Sequence, residues 1–170
     1  MSSGQDVTEK TGKPLGAADK YMTFKLAAEE YGIEIQKVRE LIGLLEITRV
    51  PRAPDFIRGV INLRGKVIPV VDLRVKFGME TAMTTSQSVI IVVQIGAVGV
   101  GLTMGILVDE VLEVRAIADT EVEPPPNFQS QAVADFILGV GKADKRIIFL
   151  LDIDRVLTAP EAIRVAETAG

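Results

Sequence analysis

A chain of 170 residues, 48% apolar and 25% charged, carries enough apolar side chains for one sizeable core and does not have the make-up of a disordered protein. Nineteen Lys and Arg against 23 Asp and Glu leave a net charge of −4, the wrong sign for a nucleic-acid footprint, and six Phe, two Tyr and no Trp offer few stacking platforms. Cysteine and histidine are absent, which excludes disulfides, thiolate or imidazole metal ligands, Ser-His-Asp and Cys-His nucleophiles, and a phospho-accepting histidine on this chain.

Residues 1–19 are polar with scattered Gly and Pro, and read as a disordered lead without the apolar stretch of a signal peptide. Tyr21–Leu26 and Tyr31–Ile35 read as strands joined by the four residues Ala27 to Glu30. Ile35, Val38, Leu41, Ile42 and Leu45 recur at helical spacing, which predicts a short amphipathic helix over 36–45. Ile47–Val50 reads as a strand stub stopped by Pro51 and Pro54, with a helical turn over Asp55 to Arg58. Val60–Arg64 and Val67–Leu73 form the clearest hairpin, its loop the pair Gly65-Lys66, with Gly first as a type II′ turn requires. Pro69 lacks an N–H, which places its strand at an edge or bulge.

From Thr81 to Val108 no residue is charged, a length that spans a bilayer. The β-branched VIIVV at 89–93 and the glycines after it instead predict two strands, with a second strand running from Gly105 to Ile117. Phe136–Val140 and Arg146–Asp152 follow as a hairpin around Gly-Lys-Ala-Asp-Lys, and residues 159–170 read as a C-terminal tail whose Ala- and Glu-rich composition is that of a helix. No internal repeat of useful period is visible. Nine or ten short strands with few helices predict an all-β barrel or pair of small barrels.

Asp109 and Glu113 fall on one face of a strand at period two, an arrangement open to general acid–base work or to a hard cation, although a solvated strand face has the stronger claim. Asp152 and Asp154 read either as a metal pair or as a strand end and a helix cap, the cap falling on Asp154. GAVGVG at 96–101 has the form of a turn, with no phosphate-binding helix after it. Arg64 in NLRGK offers a rigid guanidinium at a hairpin tip, either as solubilising charge or as a fork for a partner's carboxylate or carbonyls.

EEYGIEIQKVREL (29–41), ITRVPRAPDFIRGVINLRGKVIPVVDLRVKFG (47–78), ILVDEVLEV (106–114) and FILGVGKADKRIIFLLDIDRVL (136–157) together resemble the CheW family of bacterial chemotaxis coupling proteins. The resemblance runs in order from Lys20 to Leu157, and implies a CheW-like domain over 20–158. It implies two intertwined five-stranded SH3-like β-barrel subdomains, with a few short helices, around a shared core. It also implies a non-catalytic, cytoplasmic adaptor without cofactor, bridging the cytoplasmic tips of methyl-accepting chemoreceptors to the regulatory domain of the histidine kinase CheA, with no nucleic acid and no direct membrane contact. Carried over residue by residue, the receptor-facing groove falls on Val38, Glu40, Arg64, Val89, Gly105, Val111 and Val114. The kinase-facing surface includes Gly59 and Gly139. The connection Gly96 to Met104 departs from the family in being longer, apolar and glycine-rich, which makes it an additional candidate contact surface. The alternatives are the CheW-like regulatory domain of a CheA or CheV protein and, in another class, a small metal-dependent β-barrel enzyme using Asp109 and Glu113. Against the first stand the polar lead and the tail, together with a length too short for kinase boxes or a receiver pocket.

Overall fold

A computed structural model describes residues 18–80, 83–96, 102–125 and 136–156. In chain order the elements are β1 (Ala18–Leu26), β2 (Glu29–Glu34), a 3-10 turn (Ile35–Lys37), β3 (Val38–Ile42), β4 (Ile57–Leu63), β5 (Lys66–Asp72) and helix α1 (Leu73–Lys76). Then come β6 (Val89–Ile95), β7 (Leu102–Val108), β8 (Glu110–Ala118), a 3-10 turn (Asp119–Glu121), β9 (Val122–Glu123), β10 (Ile137–Ala143), β11 (Arg146–Leu151) and helix α2 (Ile153–Val156). Among the described residues no helix is long and apolar enough to cross a membrane.

The strands form two sheets, one ordered β8-β1-β2-β11-β10-β9 and the other β3-β6-β7-β5-β4. All neighbouring pairs are antiparallel except β2 with β11 and β5 with β7. Each sheet therefore takes strands from both halves of the chain: β1 and β2 lie among β8 to β11, and β6 and β7 lie among β3 to β5. The chain passes from the first sheet to the second at the 3-10 turn after β2, and back again at Asp109, between β7 and β8.

This exchange follows an internal repeat that the sequence reading did not find. Phe56, Ile57, Gly59, Val60 and Asp72 are matched by Phe136, Ile137, Gly139, Val140 and Asp152, at a constant spacing of 80 residues. Both copies carry a register shift just before the glycine, at Ile57/Gly59 and at Ile137/Gly139. In both, the Asp N–H donates to the Phe carbonyl, 2.7 Å for Asp72 to Phe56 and 2.8 Å for Asp152 to Phe136. Val38 and Glu40 of β3 are likewise matched, 73 residues on, by Val111 and Glu113 of β8, with a bulge between the two members in each copy. The copies share the residues that shape the backbone and little else, which hides them from a search for sequence period.

Packing is three-tiered. Ile61, Ile68, Val70, Ile90 and Leu107 fill the hollow of the second sheet, and Tyr21, Ile117, Ile148 and Leu150 that of the first. Alternate residues on the same strands, among them Phe24, Ile33, Val71, Ile91, Val93, Ile106 and Val108, meet in a larger core shared by both sheets. β6 and β7 are thus buried on two faces, which explains a run of apolar residues without alternation or charge. The outer strands of the first sheet approach one another: a Cβ added at Gly141 of β10 would lie 3.3 Å from Ile117 of β8. Two strand-swapped barrels around a common core result, the first sheet gaining β9 as a short sixth strand.

Several expected elements are displaced. No helix occupies 36–45; after the 3-10 turn the segment is β3, because its apolar residues are divided between the shared core (Ile35, Val38) and solvent (Leu41, Leu45). Asp55 and Phe56 form a turn, not helix, and of Ile47–Val50 only Thr48 pairs, with Val60. The first hairpin turns on Ala27-Ala28 alone, with Ala27 at φ 55°. The β4–β5 turn is Arg64-Gly65, at φ 51° and 86°, one residue earlier than expected and with both residues left-handed as in a type I′ turn. The β10–β11 turn is Asp144-Lys145, at φ 51° and 63°, much tighter than a five-residue loop. Pro69 lies on an interior strand. It is tolerated because Val60 opposite spends its own N–H and C=O on Thr48, and because pairing with β7 begins only at Val70. The strand expected from Gly105 to Ile117 is broken at Asp109 into β7 and β8, which belong to different sheets. The expected features at residues 1–17, 97–101 and 157–170 lie outside the described residues.

Candidate functional site

Arg64 and Glu40 are brought together by the curl of the second sheet. β3 and β4 are its opposite edges, and the turn after β4 swings Arg64 onto the Glu40 carboxylate. The contact is two-pronged: one guanidinium nitrogen donates to Oε2 of Glu40 and the other to Oε1 at 3.3 Å. The pairing holds the Glu40 carboxyl below its ordinary range. Arg64 itself stays largely exposed, so its outer donors face solvent or a partner.

The other residues of the expected groove fall into two groups. Val38, Val89 and Val111 are half-buried and pack on the fringe of the shared core, Val38 and Val111 being repeat mates on the two edge strands β3 and β8. Val114 on β8 is exposed. Gly105 is buried, and its missing side chain faces the inside of the second barrel: a Cβ there would lie 2.7 Å from Ile90 Cγ2. Any influence of Gly105 on a partner therefore passes through packing.

Gly59 and Gly139 occupy the same place in the two copies. A Cβ on Gly59, at φ 150°, would collide with the Thr48 carbonyl oxygen and come within 2.8 Å of Ile47 Cγ2. On Gly139 it would come within 2.7 Å of Val122 Cγ1 and 2.9 Å of the Glu123 carbonyl oxygen. Both glycines let a neighbouring strand segment cross closely, a requirement of the fold itself. Beside Gly59 opens a cleft of about 330 Å³ whose wall includes Ile47, Arg49, Arg58 and Asp72. Asp72 is buried, accepts from Arg58 at 2.7 Å, and caps α1 through the N–H groups of Arg74 and Val75. Lys76 lies 4.0 Å above the Phe56 ring and 5.4 Å from that of its repeat mate Phe136.

The carboxylates considered for catalysis are parted. The break at Asp109 and the bulge around Leu112 remove them from a common strand face. Asp109 accepts from Arg74 at 2.5 and 2.9 Å and from the Ala27 N–H at 2.8 Å; the Arg74 bonds hold its carboxyl below the usual range. Glu113 accepts from Arg146 at 2.7 Å and Arg115 at 3.0 Å, with the same effect on its carboxyl. Among the described residues no three acidic, histidine or cysteine side chains converge as a metal site. The helix cap also differs from expectation. Asp152, repeat mate of Asp72, accepts the Asp154 N–H at 3.1 Å, while Asp154 binds Lys37 and the Gly96 N–H.

Sequence reading passed over Leu41, Leu44 and Leu45, which are exposed on and just after β3. The helical spacing of Leu41 and Leu45 with Val38 made those two look like part of a buried stripe, and nothing local distinguishes the two cases; Leu44 lies outside that pattern. Val67 and its repeat mate Ile147 are exposed beside the two turns.

Comparison with known proteins gives a consistent result. Residues 20–161 match the family model described as the CheW-like domain. The chain is 35% identical over 169 residues to "Chemotaxis protein CheW" of Klebsiella aerogenes, covering 99% of this chain and 98% of the relative. It is 30% identical over 149 residues to "Protein FrzA" of Myxococcus xanthus, covering 86% and 90%. Among solved structures, the scaffolding protein TtCheW of Thermoanaerobacter tengcongensis superposes with a TM-score of 0.76 at 36% identity, covering 85% of this chain and 95% of that one.

Proposed function

The chain belongs to the CheW family, and from that membership we propose that it is a non-catalytic chemotaxis adaptor. It couples the cytoplasmic tips of chemoreceptors to the regulatory domain of the histidine kinase CheA, working in the cytoplasm at receptor arrays. The observation that carries this reading is the reciprocal coverage of the relative named as CheW, at 99% and 98%, together with the shared fold of a scaffolding protein. The domain extends over 20–158, with lead and tail on either side.

The site geometry supports a receptor face formed by the Arg64–Glu40 rim, the residues Val38, Val89 and Val111 on the fringe of the shared core, and exposed Val114. A helical hairpin suits such a surface, apolar along its floor and charged at its edge. Gly59 and Gly139 mark the barrel ends assigned to the kinase, and the cleft beside Gly59 adds Arg58 and Ile47 to that surface. Non-catalytic action accords with Asp109 and Glu113 each being engaged by arginine.

Titration calorimetry with the regulatory domain of a CheA from the same organism, repeated with Arg64→Glu, tests the reading. One-to-one binding that survives the substitution, with receptor binding weakened, is the expected result. Absence of a complex with either partner would overturn it and favour a CheW-like domain belonging to another assembly.

A further inference from the structure

At each point where the chain crosses between sheets, three separate segments meet around one carboxylate. At the return crossing, Asp109 accepts from Arg74 of α1 at 2.5 and 2.9 Å, and from the N–H of Ala27 in the β1–β2 turn at 2.8 Å. Arg74 follows β5 of the second sheet, whereas Ala27 belongs to the first. At the outward crossing, Asp154 of α2 accepts from Lys37 at 2.9 and 3.2 Å, and from the N–H of Gly96 after β6 at 2.9 Å. Asp154 follows β11 of the first sheet, whereas Gly96 belongs to the second.

The two assemblies are related in part by the internal repeat: Lys37 stands one residue after Gln36, the mate of Asp109 at the spacing of 73. Arg74 and Asp154 are mates at the spacing of 80, and Ala27 and Gly96 follow equivalent strands. The polarity, however, is reversed: in one the crossing supplies the acid and the helix the base, and in the other the crossing supplies the base and the helix the acid. An isolated pair at a half-exposed site contributes little to stability. Here each acid also holds a backbone N–H from the opposite sheet, so geometry is fixed at three points instead of two.

We propose that Arg74–Asp109 and Lys37–Asp154 are a matched pair of clamps that set the position of one barrel relative to the other. Apolar burial between the barrels is non-directional, whereas the clamps, at the two crossings, are directional and specify one arrangement. The consequence for binding rests on the adaptor reading above: a face built from Val38 and Glu40 on one barrel and Val111 and Val114 on the other keeps its width only while both clamps hold.

The test needs no partner. The chain has no cysteine, so Val67→Cys and Ile147→Cys, exposed repeat mates on opposite barrels, introduce the only two labelling sites. Pulsed dipolar distance measurement on the spin-labelled full chain should give one narrow distribution. Adding Lys37→Met and Asp109→Asn together should broaden or shift it, with the far-UV spectrum retained. If that variant fails to fold, Asp109→Asn alone serves, since the amide oxygen still accepts the Ala27 N–H while the charge is gone. Replacing Gln36→Asp, Lys37→Glu and Asp154→Arg gives the outward clamp the polarity of the return clamp, and should restore the narrow distribution that Asp154→Arg alone loses. An unchanged distribution in the clamp-broken chain, or no recovery in the triple substitution, overturns the proposal. Failure of the unsubstituted chain to bind receptor or kinase would overturn the adaptor reading instead and leave the distance result standing.

Discussion

The Arg64 guanidinium closes on the Glu40 carboxylate across the two edges of one sheet, from a backbone position at φ 51° that a non-glycine residue rarely occupies. The hairpin turn thus aims the arginine, and the edge strand supplies its counter-charge.

Arg64→Glu sets two carboxylates against each other at this rim. Receptor-tip affinity should fall about tenfold or more, as reversal of a charge at an interface does. The thermal midpoint should stay close to that of the parent, because an exposed pair adds little to stability. Calorimetric titration and a thermal melt on the same sample check both halves of the statement.

Gly59→Ala should destabilise the fold by about 2 kcal/mol or more, the left-handed backbone alone accounting for about 1–2 kcal/mol and the clash with Thr48 adding to it. Denaturant unfolding monitored by far-UV dichroism measures it. Lost kinase binding in a Gly59 variant then reports on folding, and Arg49, exposed on the wall of the adjoining cleft, is the cleaner position for probing that surface.

Acid should loosen the protein through Asp109, Glu113 and Asp144. Arginine partners hold each carboxyl below its ordinary range, so the stability they contribute is complete above the pKa of the unfolded chain. It is lost as pH falls through the lower, folded values. Unfolding free energy measured from pH 6 downward should decline less steeply in Asp109→Asn; an identical slope would remove Asp109 from the account.

Divalent cations should leave the thermal midpoint unchanged, as should a chelator, since both oxygens of Asp109 are committed to Arg74 and the Ala27 N–H, and Oε2 of Glu113 is held by two arginines. A rise in midpoint with added magnesium, calcium or manganese would revive the metal-dependent reading.

What the sequence discloses here is local. The β4–β5 hairpin is visible because its apolar strands and turn glycine are adjacent in the chain, even though its turn falls one residue from the expected position. The two-barrel plan and the receptor-face residues come from resemblance to a family. The bulge between Val38 and Glu40 is invisible, because it depends on pairing with Val92 and Val93, more than fifty residues away. Spacing therefore mistook β3 for a helix. Asp109 and Glu113 looked like neighbours for the same reason, since the return of the chain to the first sheet and the bulge at Leu112 against β1 separate them. The repeat escaped notice because its copies share turns of equal placement but different chemistry, Arg64-Gly65 in one and Asp144-Lys145 in the other.

The exchange of strands between the sheets also orders events on the ribosome. The second sheet draws all its strands from residues 38–108 and can close once Val108 has emerged. The first sheet opens with β1 and β2, yet its ladder waits for β11, ending at Leu151. During synthesis the N-terminal hairpin therefore stands with an unpaired edge while most of the chain is made, the situation in which nascent strands meet wrong partners. The barrel begun first is the last to be completed.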